Sequence, residues 1–169
     1  MTDPDAHWED RVSAAWAEID RCDGDEFVRR MEALVAELPS KHPRGLFEQA
    51  SAFDSTGYPD RAVPLYSAAI EAGLEGTRRR QAVIQMASSI RNLGDPQRAL
   101  NLLSAEADRT SDDLDGAVAT FMALALADLG REREAVAVAL TAISTYLPRY
   151  NRSVVRYAQA LVKPAQNNC

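Results

Sequence analysis

Few residues in this chain have the types and spacing that catalysis or metal binding requires. The two histidines, His7 and His42, are far apart, and neither has a second ligand at the short spacing of a zinc site. Ser88 and Ser89 lack the flanking glycines of a nucleophile elbow. Residues 73–77, GLEGT, lack the Gly-Lys-Ser/Thr ending of a phosphate-binding loop. We therefore expect no catalytic residue, no metal and no cofactor, and we do not expect an enzyme.

Arg78, Arg79 and Arg80 form a run of positive charge where a helix is predicted to begin. The positive pole of the helix dipole disfavours cations there, by up to about 1 kcal/mol each. Two explanations stay open at this point. The arginines form salt bridges with Glu71 or Glu75 across the turn, or they bind an anionic partner.

The composition is that of an ordinary folded protein. Of 169 residues, 46% are hydrophobic and 26% are charged, which favours one globular domain over a disordered chain. No apolar run approaches the ~20 residues of a membrane span, and the start MTDPDAHWED is too acidic and polar for a secretory signal. Cys22 and Cys169 form no CxxC pair, so the sequence predicts a cytoplasmic protein that does not bind membranes.

The net charge of −6 is unevenly distributed. Residues 1–40 contain eleven acids and four bases, whereas residues 148–163 contain four bases and no acid. A domain that binds nucleic acid usually carries a basic excess overall, so nucleic acid is not an expected partner. The acidic and basic segments could instead attract each other, within one chain or between two.

Hydrophobic periodicity predicts helices throughout the chain. Apolar residues recur at three- and four-residue spacing, as in Trp8, Val12 and Ala15, and no segment alternates apolar and polar residues over the length of a strand. Gly and Pro residues separate the helical segments. We predict an all-α protein of about nine helices, near residues 5–21, 25–38, 43–56, 59–72, 77–93, 95–108, 113–129, 131–146 and 149–163.

One pattern occurs three times. Gly57, Gly94 and Gly130 recur at intervals of 37 and 36 residues. Each has an alanine seven residues before it and another five residues after it. Small residues at these offsets allow two antiparallel helices to approach closely, and the glycine permits a tight turn between them. The chain is therefore expected to contain three copies of a helix pair.

This pattern resembles the tetratricopeptide repeat, whose usual period is about 34 residues. The segments RRRQAVIQMASSIRNLG and AVATFMALALADLG are also similar to those of a bacterial family of small single-domain tetratricopeptide proteins. The resemblance implies a right-handed superhelical stack of helix pairs. Within one domain, residues 1–42 would form a degenerate N-terminal pair, residues 43–147 three repeats, and residues 148–169 a capping helix and tail.

The family pattern also implies which residues line a concave groove, where a peptide backbone or a carboxylate could bind. The alternative is that they are solvated residues on open helix faces. The candidate groove residues are Arg44, Phe47, Glu48, Ser51, Gln85, Ser88, Arg91, Asn92, Phe121 and Asp128.

The last predicted helix indicates a homodimer. At 100° per residue, Val155 and Val162 fall on a second apolar face, away from Tyr157 and Leu161, which would cover the last repeat. We expect the covering face to hide Val138, Ala142 and Tyr146. Val155 and Val162 are candidate dimer contacts, unless another segment of the same chain covers them.

Two functional interpretations follow. The first is a protein–protein interaction scaffold or adaptor that binds another protein, a peptide or itself, without catalysis. The alternative is a regulatory or sensor module that binds a peptide or anionic ligand in the groove and acts on a partner enzyme or transcription factor.

Overall fold

The computed structural model describes residues 4–109 and 111–163, with side chains from residue 6 onward. These residues form nine α-helices and one short 3-10 helix, Ile19–Arg21, and contain no strand, which confirms the all-α prediction. The helices are α1 (Pro4–Trp16), α2 (Gly24–Val35), α3 (Pro43–Ser55), α4 (Pro59–Glu71), α5 (Gly76–Asn92), α6 (Pro96–Arg109), α7 (Asp115–Asp128), α8 (Glu132–Ser144) and α9 (Asn151–Val162).

The first helix is shorter than the predicted span of residues 5–21. It ends at Trp16 because its hydrogen-bond ladder tightens there: the Glu18 N–H donates to the Ala15 carbonyl at 3.1 Å, three residues back. The 3-10 helix follows. A tightened last turn of this kind is a common end of an α-helix.

The three repeated glycines make the same turn within three successive helix pairs, α3–α4, α5–α6 and α7–α8, called here the first, second and third copies. Gly57, Gly94 and Gly130 have φ values of 87°, 91° and 71°, in the left-handed region that favours glycine. In each turn the next residue's N–H donates to the carbonyl five residues earlier, at 2.8, 3.2 and 2.9 Å. This is the 6→1 bond of a Schellman motif, and it explains why the glycine recurs once per helix pair.

The chain divides into two compact units, Met1–Ser89 and Ile90–Cys169. In the first unit, α3 and α4 pack along each other, and Ala50, Ala62 and Ala69 are fully buried between helices. Large side chains fill the rest of this core, with Trp16 and Phe27 at a centroid distance of 4.9 Å. Small residues at the closest approach and large ones around it give the density that a protein interior needs.

In the second unit, α6, α7, α8 and α9 pack successively. Leu103, Val118 and Leu126 form its core, and Ala158 of α9 is 1% exposed. Helix α9 lies antiparallel to α8. The Asn151 side-chain amide donates to the Ser144 carbonyl at 2.7 Å, close to the start of α9 and the end of α8.

At the other end of the same pair, the Arg133 guanidinium Nε–H donates to the Leu161 carbonyl at 2.9 Å. These contacts hold α9 against the side of α8 that carries Ala137 and Ser144. The prediction that α9 hides Tyr146 is therefore wrong, because Tyr146 is 75% exposed.

Candidate interaction surfaces

In the first unit, the predicted groove residues of α3 are not on an open face. Phe47, Glu48 and Ser51 are 6%, 4% and 4% exposed, which corrects that prediction. These residues are buried because helices that precede and follow α3 in the sequence pack on it. Trp16 of α1 donates its indole N–H to Glu48 at 2.8 Å, and Ser51 forms a 3.4 Å hydrogen bond with Gln85 of α5.

The remaining charged residue of this set, Arg44, belongs to an ion cluster centred on Glu9 of α1. Arg44 binds the Glu9 carboxylate at 3.0 Å, and Arg78 of α5 binds both of its oxygens. The Arg78 Nε also lies 3.5 Å from Glu48. The expectation of a local bridge from Arg78 to Glu71 or Glu75 is wrong, because Arg78 pairs with acids from α1 and α3 instead.

Asp54 organises a second polar cluster between α3, α4 and α5. Ser89 donates its hydroxyl hydrogen to the carboxylate at 2.6 Å, and the Tyr66 hydroxyl lies 3.4 Å away. Burial raises the pKa of Asp54 above its ordinary value, although the two hydrogen bonds oppose the shift. Burial likewise raises the pKa of Glu48, against opposing contributions from Trp16 and Arg78. These polar side chains therefore form hydrogen bonds between neighbouring helices.

Ser88, the last candidate of the first unit, is half-buried. In the second unit, Arg91 at the end of α5 pairs with Asp128 at the end of α7, at 3.1 Å. The Arg91 guanidinium also lies 3.5 Å from the exposed Asn92, and Phe121 is half-buried. Both residues were candidates from the sequence, but their pairing was not predicted. Arg91 lies three residues before Gly94 and Asp128 two residues before Gly130, so the two ions are not at equivalent repeat positions and the repeat pattern gave no signal for the pair.

A large open groove of about 1090 Å³, called here the outer groove, lies in the second unit. Its lining comes from α6, α7, α8 and α9 and extends along α8 from Arg131 to Tyr146. On α7 its lining residues, such as Met122 and Leu126, lie on the side opposite the predicted groove residue Asp128, given 100° per residue. Representative lining residues are Leu100, Ser104, Met122, Val138, Thr141 and Val162.

A second groove of about 600 Å³, called here the α7–α8 face, lies between those two helices. No charged residue lines it among the described residues. Several of its large side chains are exposed, with Ile143 at 55% and Val136 at 47%. Its principal residues are Thr120, Leu124, Val136, Ala139, Ile143 and Tyr146.

The candidate dimer contacts of α9 do not form a separate outward face. Val155 is half-buried, and Val162 is 49% exposed at the rim of the outer groove. Tyr157, predicted to cover the repeat core, is 61% exposed. Ala158 docks against α8, and Val155 and Val162 flank it on the helix surface, so both valines lie close to that contact. Tyr157 does not flank Ala158 and is therefore exposed.

The described residues show neither a metal-binding cluster nor a membrane-spanning helix. They contain no group of three or more His, Cys, Asp or Glu side chains placed to hold a metal ion. None of their helices is both long and apolar enough to cross a membrane.

Comparison with known proteins gives the family. The model of the family described as "Tetratrico peptide repeat" matches residues 43–161. No curated protein matches the chain. Among solved structures, the chain is similar to a variant of a Podosopora anserina protein with nearly identical TPR-like repeats, assigned as a kinesin light chain. The TM-score is 0.71 at 20% identity, over 95% of this chain and 89% of the other. The chain belongs to the tetratricopeptide repeat family and is a repeat scaffold of the protein-interaction type.

Proposed function

We propose that this chain is a non-catalytic interaction scaffold that binds a segment of a partner protein in the outer groove and also self-associates. The observation that carries this proposal is the distribution of exposed apolar side chains. Apart from Tyr58, every large apolar residue that is exposed in the described part of the chain lies in the second unit. Of these residues, Tyr146 and Val162 line the outer groove. Those that line the α7–α8 face are Leu124, Val136, Ile143 and Tyr146. Exposed apolar residues clustered in this way are typical of surfaces that bind other proteins.

The polar residues that were predicted to bind a peptide form contacts between helices instead. Glu48, Ser51 and Gln85 bond α3 to its neighbours, and Arg91 is paired with Asp128. A ligand that bound at these positions would have to replace hydrogen bonds already made, at a cost of about 1–3 kcal/mol for each buried group left unsatisfied.

The outer groove has the dimensions of a peptide site. It extends along the 13 residues of α8, a length of roughly 20 Å at 1.5 Å per residue. Leu100, Met122 and Val138 supply apolar lining, and the acids Asp112 and Asp113 also line it. An amphipathic helix with an apolar stripe and a basic end fits this chemistry.

Partner capture tests the proposal. Ser104→Arg with Thr141→Arg places two large cations in the outer groove. The matched control is Ser67→Arg with Ala68→Arg, at the equivalent positions of the first copy. We expect affinity purification from the source cells to recover a partner with the unmodified chain and the control, at least tenfold more than with the groove variant. Equal recovery with all three chains would contradict the proposal, provided that circular dichroism shows all three to be folded.

A further inference from the structure

The three repeats differ in how well their stacking faces are covered. The first helix of each copy shows the difference. In the first copy, Phe47 and Ser51 are 6% and 4% exposed. The equivalent positions of the third copy are Thr120, which is exposed, and Leu124, which is 42% exposed. In the first copy, contacts from α5, including that of Gln85 with Ser51, cover this face. In the third copy it is open.

The second helix of each copy shows the same difference. Leu100 and Leu103 of α6 are 7% and 1% exposed, whereas Val136, the equivalent of Leu100 in α8, is 47% exposed. Ile143 is 55% exposed, while its equivalent in the first copy, Ile70, is half-buried. The α7–α8 face is therefore the position at which the first helix of a following repeat would pack, and residues 4–109 and 111–163 leave it uncovered.

Helix α9 does not fill this position. It packs on the side of α8 that carries Ala137 and Ser144, which are 8% and 4% exposed. The equivalent residues of the first copy, Pro64 and Glu71, are exposed. Helix α9 thus uses a side of the second helix that the first copy leaves in solvent.

We infer that the α7–α8 face binds the same face of a second copy of this chain, in a two-fold symmetric dimer. The inference rests on the self-association proposed above and identifies the surface that mediates it. The face is apolar and uncharged, so two copies can meet without burying an unpaired charge. A two-fold contact of this kind satisfies both copies at once, because each buries the other's exposed apolar residues.

The charge distribution favours contact through the second unit. Residues 90–169 contain nine acids and nine bases, whereas the whole chain carries −6. Two second units can therefore approach without net repulsion, while residues 1–89 of each copy carry the entire excess of negative charge.

Other arrangements of two copies fit less well. A head-to-tail contact would need an apolar counterpart on the first unit, where Tyr58, at 37%, is the one large apolar residue that is exposed in the described part. A contact between the outward sides of two α9 helices would bring together Arg152, Arg156 and Lys163, which are exposed. Like charges at such a contact would repel.

The size of the face sets the concentration for the test. Eleven residues line it, fewer than the roughly 20–30 per partner of a standard stable interface. Association should therefore be weak, and sedimentation velocity should be measured from about 10 to 300 µM, a range suited to weak complexes.

The variant Val136→Glu with Ile143→Glu puts two charges on the α7–α8 face. The control, Tyr157→Glu with Val162→Glu, changes two similarly exposed residues of α9. We expect the unmodified 18.5 kDa chain and the control to shift toward twice that mass with rising concentration, and the α7–α8 variant to associate at least tenfold more weakly. Methyl resonances of Leu124 and Ile143 in the unmodified chain should shift with concentration, which tests the contact without substitution.

Several results would overturn the inference. They are a monomer at the highest concentration, a dimer unaffected by the α7–α8 substitutions, loss of the dimer in the α9 control, or species that keep growing beyond a dimer. Failure of partner binding would be seen separately, in the capture experiment with Ser104→Arg and Thr141→Arg. A dimer without partner capture would refute the outer-groove proposal and leave this one standing.

Discussion

Arg78 of α5 binds both carboxylate oxygens of Glu9 of α1, across 69 residues of chain. The pair joins α1 to α5, the first helix of the second copy. Arg44 shares the same carboxylate, so three helices meet at one acidic side chain. Residues outside the range 43–161 that matches the family thus contribute directly to the packing of the first unit.

Glu9→Gln should destabilise the chain. The substitution keeps the side-chain shape but removes the charge from bonds to two guanidinium groups, and we expect the free energy of unfolding in urea to fall by about 1–3 kcal/mol. Glu37→Gln is the matched control, because its bidentate partner Arg11 is in an exposed pair, and the loss there should be smaller. An equal effect of both substitutions would contradict a special role for the Glu9 cluster.

The contribution of Glu9 to stability should depend on pH. Burial acts to raise the pKa of Glu9, but the bonds from Arg78 and Arg44 outweigh it and hold the pKa below its usual value. A lowered pKa in the folded state gives stability that is present above pH 4.5 and lost as the pH falls toward the folded pKa. Urea unfolding should therefore show the difference between the unmodified chain and Glu9→Gln shrinking below pH 4.5.

Asp54→Asn should increase the stability of the chain, whereas Glu9→Gln should decrease it. Burial raises the pKa of Asp54 in the folded state, so its ionisation destabilises the fold as the pH rises above the ordinary value of 3.8. Asparagine can still accept the Ser89 hydrogen bond without a buried charge. We expect the variant to gain stability relative to the unmodified chain between pH 4 and pH 7, measured by thermal unfolding. The exposed Asp10→Asn is the control, and a parallel pH profile for both variants would refute this explanation.

The three turn glycines should be equally intolerant of alanine. Gly57, Gly94 and Gly130 have positive φ, and an added Cβ would meet no atom within 4 Å, so the cost is that of the backbone conformation alone. We expect each Gly→Ala substitution to lower the free energy of unfolding by about 1–2 kcal/mol. Gly24→Ala is the control, since Gly24 begins α2 and its Cβ would make ordinary contact with Thr56. A tolerated alanine at any of the three turns would contradict the strain argument.

Tyr150→Asn should stabilise the connection between α8 and α9. Tyr150 has φ of 70° and is 75% exposed, so the substitution relieves backbone strain and loses little buried area. Asparagine tolerates the left-handed region better than an aromatic residue does, and we expect a gain of about 0.5–1 kcal/mol in thermal unfolding. Tyr157→Asn, within α9, should give no gain. A loss at Tyr150 would show that its ring makes a stabilising contact.

The sequence alone predicted the helices and the three repeated turns, because glycine at positive φ and small residues between helices are local requirements. It did not predict that Phe47, Glu48 and Ser51 are buried. The family pattern places a residue on a helix face, but whether that face is open depends on neighbours distant in sequence, such as Trp16 for Glu48.

The placement of α9 was missed for a related reason. Periodicity identified its apolar positions, but small residues decided the contact: Ala158 is 1% exposed against α8, and Asn151 bonds to the Ser144 carbonyl. Tyr157, the much larger candidate, is exposed instead. The size of a side chain is therefore a poor guide to which side of a terminal helix packs.

The position of α9 also bears on how the number of copies in such a chain can change. The terminal helix of a repeat array usually has two roles: it ends the array, and it shields the last apolar surface from water. Here α9 follows the third copy without occupying the place of the next helix pair. A duplicated copy inserted at residues 145–150 would find an apolar surface on the third copy already formed, and the first eight helices would need no redesign. An added copy would therefore need a changed connection after α8, and no change to the last repeat.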